Sequence, residues 1–223
     1  ECAAVEPRPR VRPTLTEWGF GEAVLVGGQT FDGPGTGHPY GDVWRLHCER
    51  QGVGAVVCRW EEARPEGCNF PARSCHTALK APCGLLVLGG AGAGGSTMPC
   101  EAYCLAEGAW HLPSQSGLFP PQGALHHGCC RRDHVVLVGG IDEPGLQRRG
   151  LGRPTDVHVL SLKTWVWERL ARSLSTPPLH SRAAALSCGA VLLLVGGDGG
   201  TAAGQSDLVA VLDVDGSLAT IAA

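Results

Sequence analysis

The chain has 223 residues, of which 43% are hydrophobic and 17% are charged. This composition is typical of a packed globular protein and excludes an intrinsically disordered one, which requires low hydrophobicity and high net charge. A net charge of −3 argues against a nucleic-acid partner, because phosphate recognition normally needs a basic surface. No apolar stretch approaches the roughly 20 residues of a membrane-spanning helix, so we expect no membrane partner either.

An apolar run that ends in two glycines occurs four times along the chain. Each run is short, aliphatic and bounded by turn residues, which predicts a buried β-strand. Successive glycine pairs lie 62, 50 and 57 residues apart, a spacing typical of repeats that each form one supersecondary unit. The chain contains 33 glycines and 16 prolines, too many for us to predict a helix. The pairs are Gly27 and Gly28, Gly89 and Gly90, Gly139 and Gly140, and Gly196 and Gly197.

The same order of elements follows each glycine pair. A polar, glycine-rich loop comes first, and a strand of alternating apolar and polar residues comes next. A second strand follows and contains tryptophan in three of the four repeats, while a strand of small residues precedes three of the pairs. Each repeat is therefore predicted to have four strands. The tryptophans are Trp60, Trp110 and Trp167.

This order resembles the kelch repeat, and the chain is similar to the kelch family of β-propellers over nearly its whole length. The Pro-x-Arg-x-x-His lead-in of that family is clear at Pro71, Arg73 and His76. Counted back from the glycine pairs, His126 matches His76, but Gly123 stands where Arg73 does. The resemblance implies an all-β fold, a kelch-type β-propeller with about four four-stranded blades.

Kelch propellers most often have six blades, so these four are expected to be part of a larger propeller. The first residues include Trp18, and we expect them to form a lead-in that holds the last strand of a preceding blade. The boundaries are 1–20 for the lead-in, and 21–70, 71–120, 121–178 and 179–223 for the blades.

Elementary packing explains the repeat. A single four-stranded sheet cannot bury both of its faces, so successive sheets stack against one another. The strand before each glycine pair then lies between two sheets and must be apolar on both sides. Glycines at its end allow a close backbone approach that a Cβ atom would block.

The 11 cysteines are odd in number and irregularly spaced, which argues against the disulfide framework of a secreted chain. We therefore expect reduced thiols and a cytoplasmic protein, with the cilium or cytoskeleton as the alternative and secretion less favoured. A disulfide between Cys48 and Cys58 is kept as an alternative, because strand pairing around Val53 would place these two cysteines opposite each other. Cys100 and Cys104 would lie about 13 Å apart on a strand, too far to share one ion, so we predict no metal site.

Catalytic patterns known from propellers and from phosphate-binding loops do not fit this chain. A copper site of the galactose-oxidase type uses two tyrosines, but Tyr103, one of the two available, lies inside a predicted strand. The glycine-rich segment 89–95 lacks the Lys-Ser/Thr that would hold a phosphate and magnesium. We predict no cofactor, no catalytic residue and no enzymatic activity.

The expected function is a non-enzymatic scaffold that binds another protein through loops on one face. Loop arginines and lead-in residues should share that face and recognise an acidic segment, because arginine binds two carboxylate oxygens at once. Arg131 and Arg132 should lie at the opposite end. Two alternatives stay open: an accessory propeller of a longer enzyme, a transferase or oxidase, and a structural subunit of a multiprotein complex such as a ciliary particle. The predicted partner-binding residues are Arg73, His76, Arg148, Arg149, Arg153, Arg172 and Arg182.

Overall fold

The computed structural model describes residues 6–31, 37–120, 123–141, 157–170, 184–188, 191–195 and 209–213. These residues are nearly all in strands and turns, with one short 3₁₀ turn at Ala93–Gly95. Within the same ranges, no helix is long and apolar enough to cross a membrane. The strands form four sheets, numbered here 1 to 4 in chain order.

Sheets 1 and 2 are built mainly from antiparallel hairpins in chain order, as the repeat predicts. Sheet 2 has one additional two-residue strand, β5, that runs parallel to its last strand. Sheet 1 contains β1 (Thr14–Gly19), β2 (Glu22–Val26), β3 (Val43–Gln51) and β4 (Ala55–Ala63). Sheet 2 contains β5 (Glu66–Gly67), β6 (Thr77–Ala81), β7 (Gly84–Leu88), β8 (Ala102–Ala106) and β9 (Ala109–His111).

Sheet 3 repeats the plan of sheet 2, with a two-residue strand on its outer edge. Three strands of sheet 4 lie within the described residues. Sheet 3 contains β10 (Ser116–Gly117), β11 (Ala124–Arg131), β12 (His134–Ile141), β13 (Val157–Ser161) and β14 (Val166–Leu170). Sheet 4 contains β15 (Ala184–Cys188), β16 (Val191–Val195) and β17 (Val209–Asp213).

The first long strands of successive sheets are neighbours. Strand β1 contacts β6, β6 contacts β11, and β11 contacts β15. This is how the innermost strands of propeller blades follow one another around an axis. The four sheets are therefore successive blades of a kelch-type propeller.

Strand β7, which precedes the second glycine pair, is buried on both faces, as the lack of alternation in its sequence predicts. On β7, Leu85 and Val87 pack towards sheet 1, in a cluster with Val26 and Val43. Leu86 and Leu88 of the same strand pack in the opposite direction, in a cluster that includes residues of sheet 3. Strand β7 thus joins the cores on its two sides.

Two expectations about sheet 1 need correction. Residues Thr14–Gly19 pair antiparallel with β2 and form the first strand of this sheet, so Trp18 does not belong to the last strand of a preceding blade. Cys48 and Cys58 face each other on β3 and β4 and are disulfide-bonded, so the expectation of reduced thiols is wrong for this pair. Their Cα atoms are 4.2 Å apart, a separation that the antiparallel register provides.

Candidate functional site

The loops after the glycine pairs and the lead-ins meet at one end of the sheets, which we call the glycine-pair end. The Arg73 amide donates to the Tyr40 carbonyl, and the Gly28 amide donates to the Arg73 carbonyl, both at 3.0 Å. The same bonds recur one sheet on, where Gly123 donates to Met98 and Gly90 donates to Gly123 at 3.3 and 2.9 Å. Gly123 therefore occupies the structural position of Arg73, as the spacing predicts.

Glycine is required at this end because backbones approach one another there. Gly90 has a φ of 106°, and a Cβ atom at this position would lie 2.7 Å from the Ser74 carbonyl oxygen. A Cβ atom on Gly89 would lie 2.8 Å from the carbonyl oxygen of Gly123 in the next lead-in. The pair thus fits between its own lead-in and that of the following sheet.

The other predicted glycines and tryptophans lie as follows. Gly27 and Gly28 have positive φ like Gly89 and Gly90, whereas Gly139 and Gly140 continue strand β12. Gly196 and Gly197 lie outside the described residues. Trp60, Trp110 and Trp167 lie on the last antiparallel strands of sheets 1, 2 and 3, namely β4, β9 and β14.

Arg73 is buried, which corrects its assignment as a partner-binding residue. Only 1% of its surface is exposed. Its guanidinium lies 4.7 and 4.8 Å from the ring centroids of Phe70 and Tyr103. It donates to the Gly89 and Pro71 carbonyls at 2.9 and 3.2 Å. Arg73 therefore holds the lead-in against the glycine pair and does not reach the surface.

His76 is buried as well and needs the same correction. Its Nε2 atom lies 2.7 Å from the Thr14 hydroxyl of sheet 1, and it is 6% exposed. Burial and the positive charge of Arg73 lower the pKa of His76 to about 3, so the imidazole is neutral at pH 7. Its Nδ1 atom has no hydrogen-bond partner within the described ranges. His76 joins two sheets and is not part of a binding surface.

The structure reveals a second lead-in, at Arg10, that the sequence pattern did not identify. Arg10 donates to the Gly27 carbonyl at 2.9 Å, as Arg73 does to Gly89, and lies 4.4 Å from the centroid of the Tyr40 ring. It also forms a bidentate ion pair with Asp42, at 2.6 and 2.9 Å. Burial raises the pKa of Asp42, but the hydrogen bonds from Arg10 and Trp44 outweigh it and hold the pKa below its ordinary value.

A one-residue irregularity explains why this lead-in was missed. Arg73 precedes Gly89 by 16 residues, whereas Arg10 precedes Gly27 by 17. The additional residue lies in β1, where the register with β2 shifts between Glu17 and Gly19. An alignment that allows one bulge in this hairpin would have found Arg10, because a β-bulge inserts a single residue into one strand.

In contrast to the buried Arg10, Arg73 and His76, several groups at the glycine-pair end face solvent. Phe31, in the first post-glycine loop, is 77% exposed. The turn at residues 93–96 in the second loop is also exposed, as are Arg8 and Arg12 in the first lead-in. Arg148, Arg149, Arg153, Arg172 and Arg182 lie outside the described residues. Among the described residues, a partner can therefore reach loop atoms, an exposed aromatic ring and two lead-in arginines at this end.

The opposite end is formed by hairpin turns. Arg131 ends β11, and Arg132 lies in the turn to β12, away from Gly139 and Gly140 at the far end of that strand. Lys163 in the neighbouring turn forms an ion pair with Asp133 at 2.8 Å. These positions agree with the strand directions that the sequence analysis used to separate the two ends.

Several cysteine and histidine side chains, among them Cys100, Cys104 and His126, are packed into the core. Cys100 Sγ lies 3.6 Å from His126 Nε2, and burial together with His127 and His158 lowers the pKa of His126 to about 4. Burial also raises the pKa of the Cys104 thiol to about 12, so this thiol is protonated and weakly nucleophilic at pH 7. Within the described ranges, no group of three or more His, Cys, Asp or Glu residues is placed to hold a metal ion.

Stacked, mainly antiparallel sheets, glycine pairs at one end and buried lead-in arginines define a repeat propeller of the kelch class. The family model described as "KLHDC2/KLHL20/DRC7 Kelch-repeats domain" matches residues 1–197. The chain therefore belongs to the Kelch-repeat family. No protein with a curated description matches it. Kelch-repeat domains are generally non-enzymatic modules for protein–protein interaction.

Proposed function

We propose that this chain is a non-enzymatic scaffold that binds an acidic segment of a partner protein at the glycine-pair end. The observation that carries the proposal is the division of the arginines at this end. Arg10 and Arg73 are buried and hold the lead-ins, whereas Arg8, Arg12 and Phe31 face solvent. A frame held by buried groups loses little entropy on binding, and exposed arginines attract carboxylates.

The repeat extends this surface to the later blades. Arg148, Arg149 and Arg153 follow the third glycine pair, and Arg172 and Arg182 precede the fourth. From their place in the repeat, we predict that these residues belong to loops and lead-ins of the same end. Five further arginines there would give an otherwise slightly acidic chain one basic surface, which supports an acidic partner. Such a scaffold would act as one member of a multiprotein complex.

Charge reversal at the two ends tests the proposal. The variant Arg148→Glu, Arg149→Glu, Arg153→Glu changes the proposed surface, and Arg131→Glu, Arg132→Glu is the matched control at the opposite end. Binding to an array of peptides with varied acidic content is measured at low and high salt. We expect the parent chain and the control to select acidic peptides with a steep salt dependence, and the triple variant to lose both properties. Equal loss in the control would refute the assignment of the face.

A further inference from the structure

The outer edges of sheets 2 and 3 are covered by short strands in the same way. Strand β5 pairs parallel with β9, and β10 pairs parallel with β14. In sheet 2, Glu66 and Cys68 donate their amides to the carbonyls of Gly108 and Trp110, at 3.0 and 2.9 Å. In sheet 3, the amides of Ser116 and Leu118 donate to the carbonyls of Trp165 and Trp167, at 3.1 and 2.8 Å.

We call each of these three-residue segments, Glu66–Cys68 and Ser116–Leu118, an edge cap. The middle residue of each cap is a glycine, and these glycines have φ angles of 90° and 95°. A Cβ atom on Gly67 would collide with the carbonyl oxygen of Trp110, and one on Gly117 would collide with that of Trp167. An edge cap therefore needs glycine beside the tryptophan, and an amide on each side of it to donate to the sheet.

Sheet 1 presents the same acceptors on its last strand, β4. Trp60 is opposite Leu46, just as Trp110 is opposite Leu105 and Trp167 is opposite Leu160. The Cα atoms of Cys48 and Cys58 are 4.2 Å apart, the short separation of a pair that is not hydrogen-bonded across the ladder.

The neighbouring even-numbered positions of β4 share that orientation, because the two kinds of pair alternate. The carbonyls of Cys58 and Trp60 therefore point away from β3. They correspond to the two acceptors that the edge caps use in sheets 2 and 3.

No strand within the described ranges pairs with the outer edge of β4. This edge is nine residues long, and Val56 and Val57 on it are 61% and 48% exposed. An edge strand with open backbone groups is a template for pairing with another chain. The Cys48–Cys58 disulfide ties β4 to β3, so the acceptors are already in place before a segment binds.

We propose that the outer edge of β4 binds an extended segment of a partner protein, which adds to sheet 1 as a parallel edge cap. The two edge caps within the chain define its chemistry: a small or acidic polar residue, a glycine beside Trp60, and an apolar residue whose amide donates to the Trp60 carbonyl. Main-chain hydrogen bonds supply the affinity and the required glycine supplies the selectivity. This surface is separate from the glycine-pair end and does not depend on the function proposed for it.

The test uses the whole chain, ¹⁵N-labelled, and a synthetic peptide with the sequence of residues 114–119, Ser-Gln-Ser-Gly-Leu-Phe. Two control peptides differ from it by one group each: one has valine for the glycine, and the other has an N-methyl group on the leucine amide. We expect the parent peptide to slow amide exchange along β4 and shift the resonances around Trp60. Both control peptides should bind at least about tenfold more weakly, because each loses the geometry or the donor of the cap.

Three results would overturn the proposal. The first is absence of any effect of the parent peptide on β4. The second is equal binding of the N-methyl peptide, or changes confined to β9 or β14. The third is binding that appears only after residues 1–5 are deleted, because the edge would then be filled from within the chain. Since the two control peptides leave the protein unmodified, a change in its fold cannot explain a difference among the three peptides.

Discussion

Two of the buried histidines, His76 and His126, predict a loss of stability in mild acid. His76 and His126 have pKa values of about 3 and about 4 in the folded chain, against an ordinary value of 6.5. Because the folded state binds these protons less readily than the unfolded state, their contribution is complete above pH 6.5. It is lost as the pH falls towards the folded values.

The magnitude follows from proton linkage. Each proton taken up on unfolding lowers the free energy of unfolding by about 1.4 kcal/mol for every pH unit of acidification. Below pH 6 the two histidines together therefore lower it by roughly 3 kcal/mol per pH unit. By pH 4.5 the loss is on the order of 5 kcal/mol, a large part of the stability of an ordinary domain. The carboxyl group of Asp42 affects stability at lower pH than the histidines do, because its pKa in the folded chain is below its ordinary value of 3.8.

Urea denaturation at a series of pH values between 7 and 4.5 measures this dependence. The variants His76→Gln and His126→Gln should each reduce the slope of unfolding free energy against pH by about one proton. His111→Gln, on an exposed position of β9, is the matched control for loss of an imidazole. Equal slopes in the parent chain and both core variants would refute the reasoning, whatever their stabilities at pH 7.

Three further predictions concern the frame. Gly90→Ala should destabilise the chain by about 2–4 kcal/mol in urea denaturation, and Gly94→Ala, whose Cβ atom meets only open space, by about 1 kcal/mol. Equal effects would exclude a close approach at Gly90. Arg10→Ala should cost about 3 kcal/mol in the same assay by removing the ion-pair partner of Asp42, and the double variant with Asp42→Asn should recover part of it; no recovery would argue against the pair. Cys48 and Cys58, ten residues apart, should appear as one cross-linked peptide in non-reducing mass spectrometry, and reduction should lower stability by about 3 kcal/mol; alkylation of both in the unreduced chain would contradict this.

Repetition in the sequence predicted the main features of the fold. The glycine pairs located the strands that are buried on both faces, and β7 shows why: Leu85 and Leu86 belong to different cores. Strand direction then predicted that the post-glycine loops and the lead-ins share one end. These features follow from the order of residues along the chain, so the sequence alone was enough to predict them.

The features that were missed depend on contacts between distant segments. An arginine usually lies on the surface, but Phe70, Tyr103 and the Gly89 carbonyl give Arg73 a buried site. The edge caps contain strands of only two residues, which are too short to show a periodic pattern in the sequence. The sequence left open whether Cys48 and Cys58 are free thiols or a disulfide. The register of β3 and β4 places them opposite each other, where they are bonded.

Sheet 1 differs from sheets 2 and 3 in three ways that together affect how its last strand is held. Its lead-in is displaced by a bulge in β1, its outer edge has no cap within the described residues, and its last two strands carry a disulfide. In sheets 2 and 3, each cap donates two hydrogen bonds that hold the final strand in place. In sheet 1 the disulfide ties β4 to β3, and no strand within the described residues pairs with the outer edge of β4. A covalent bond between strands thus stabilises the hairpin without using the edge that a partner would need.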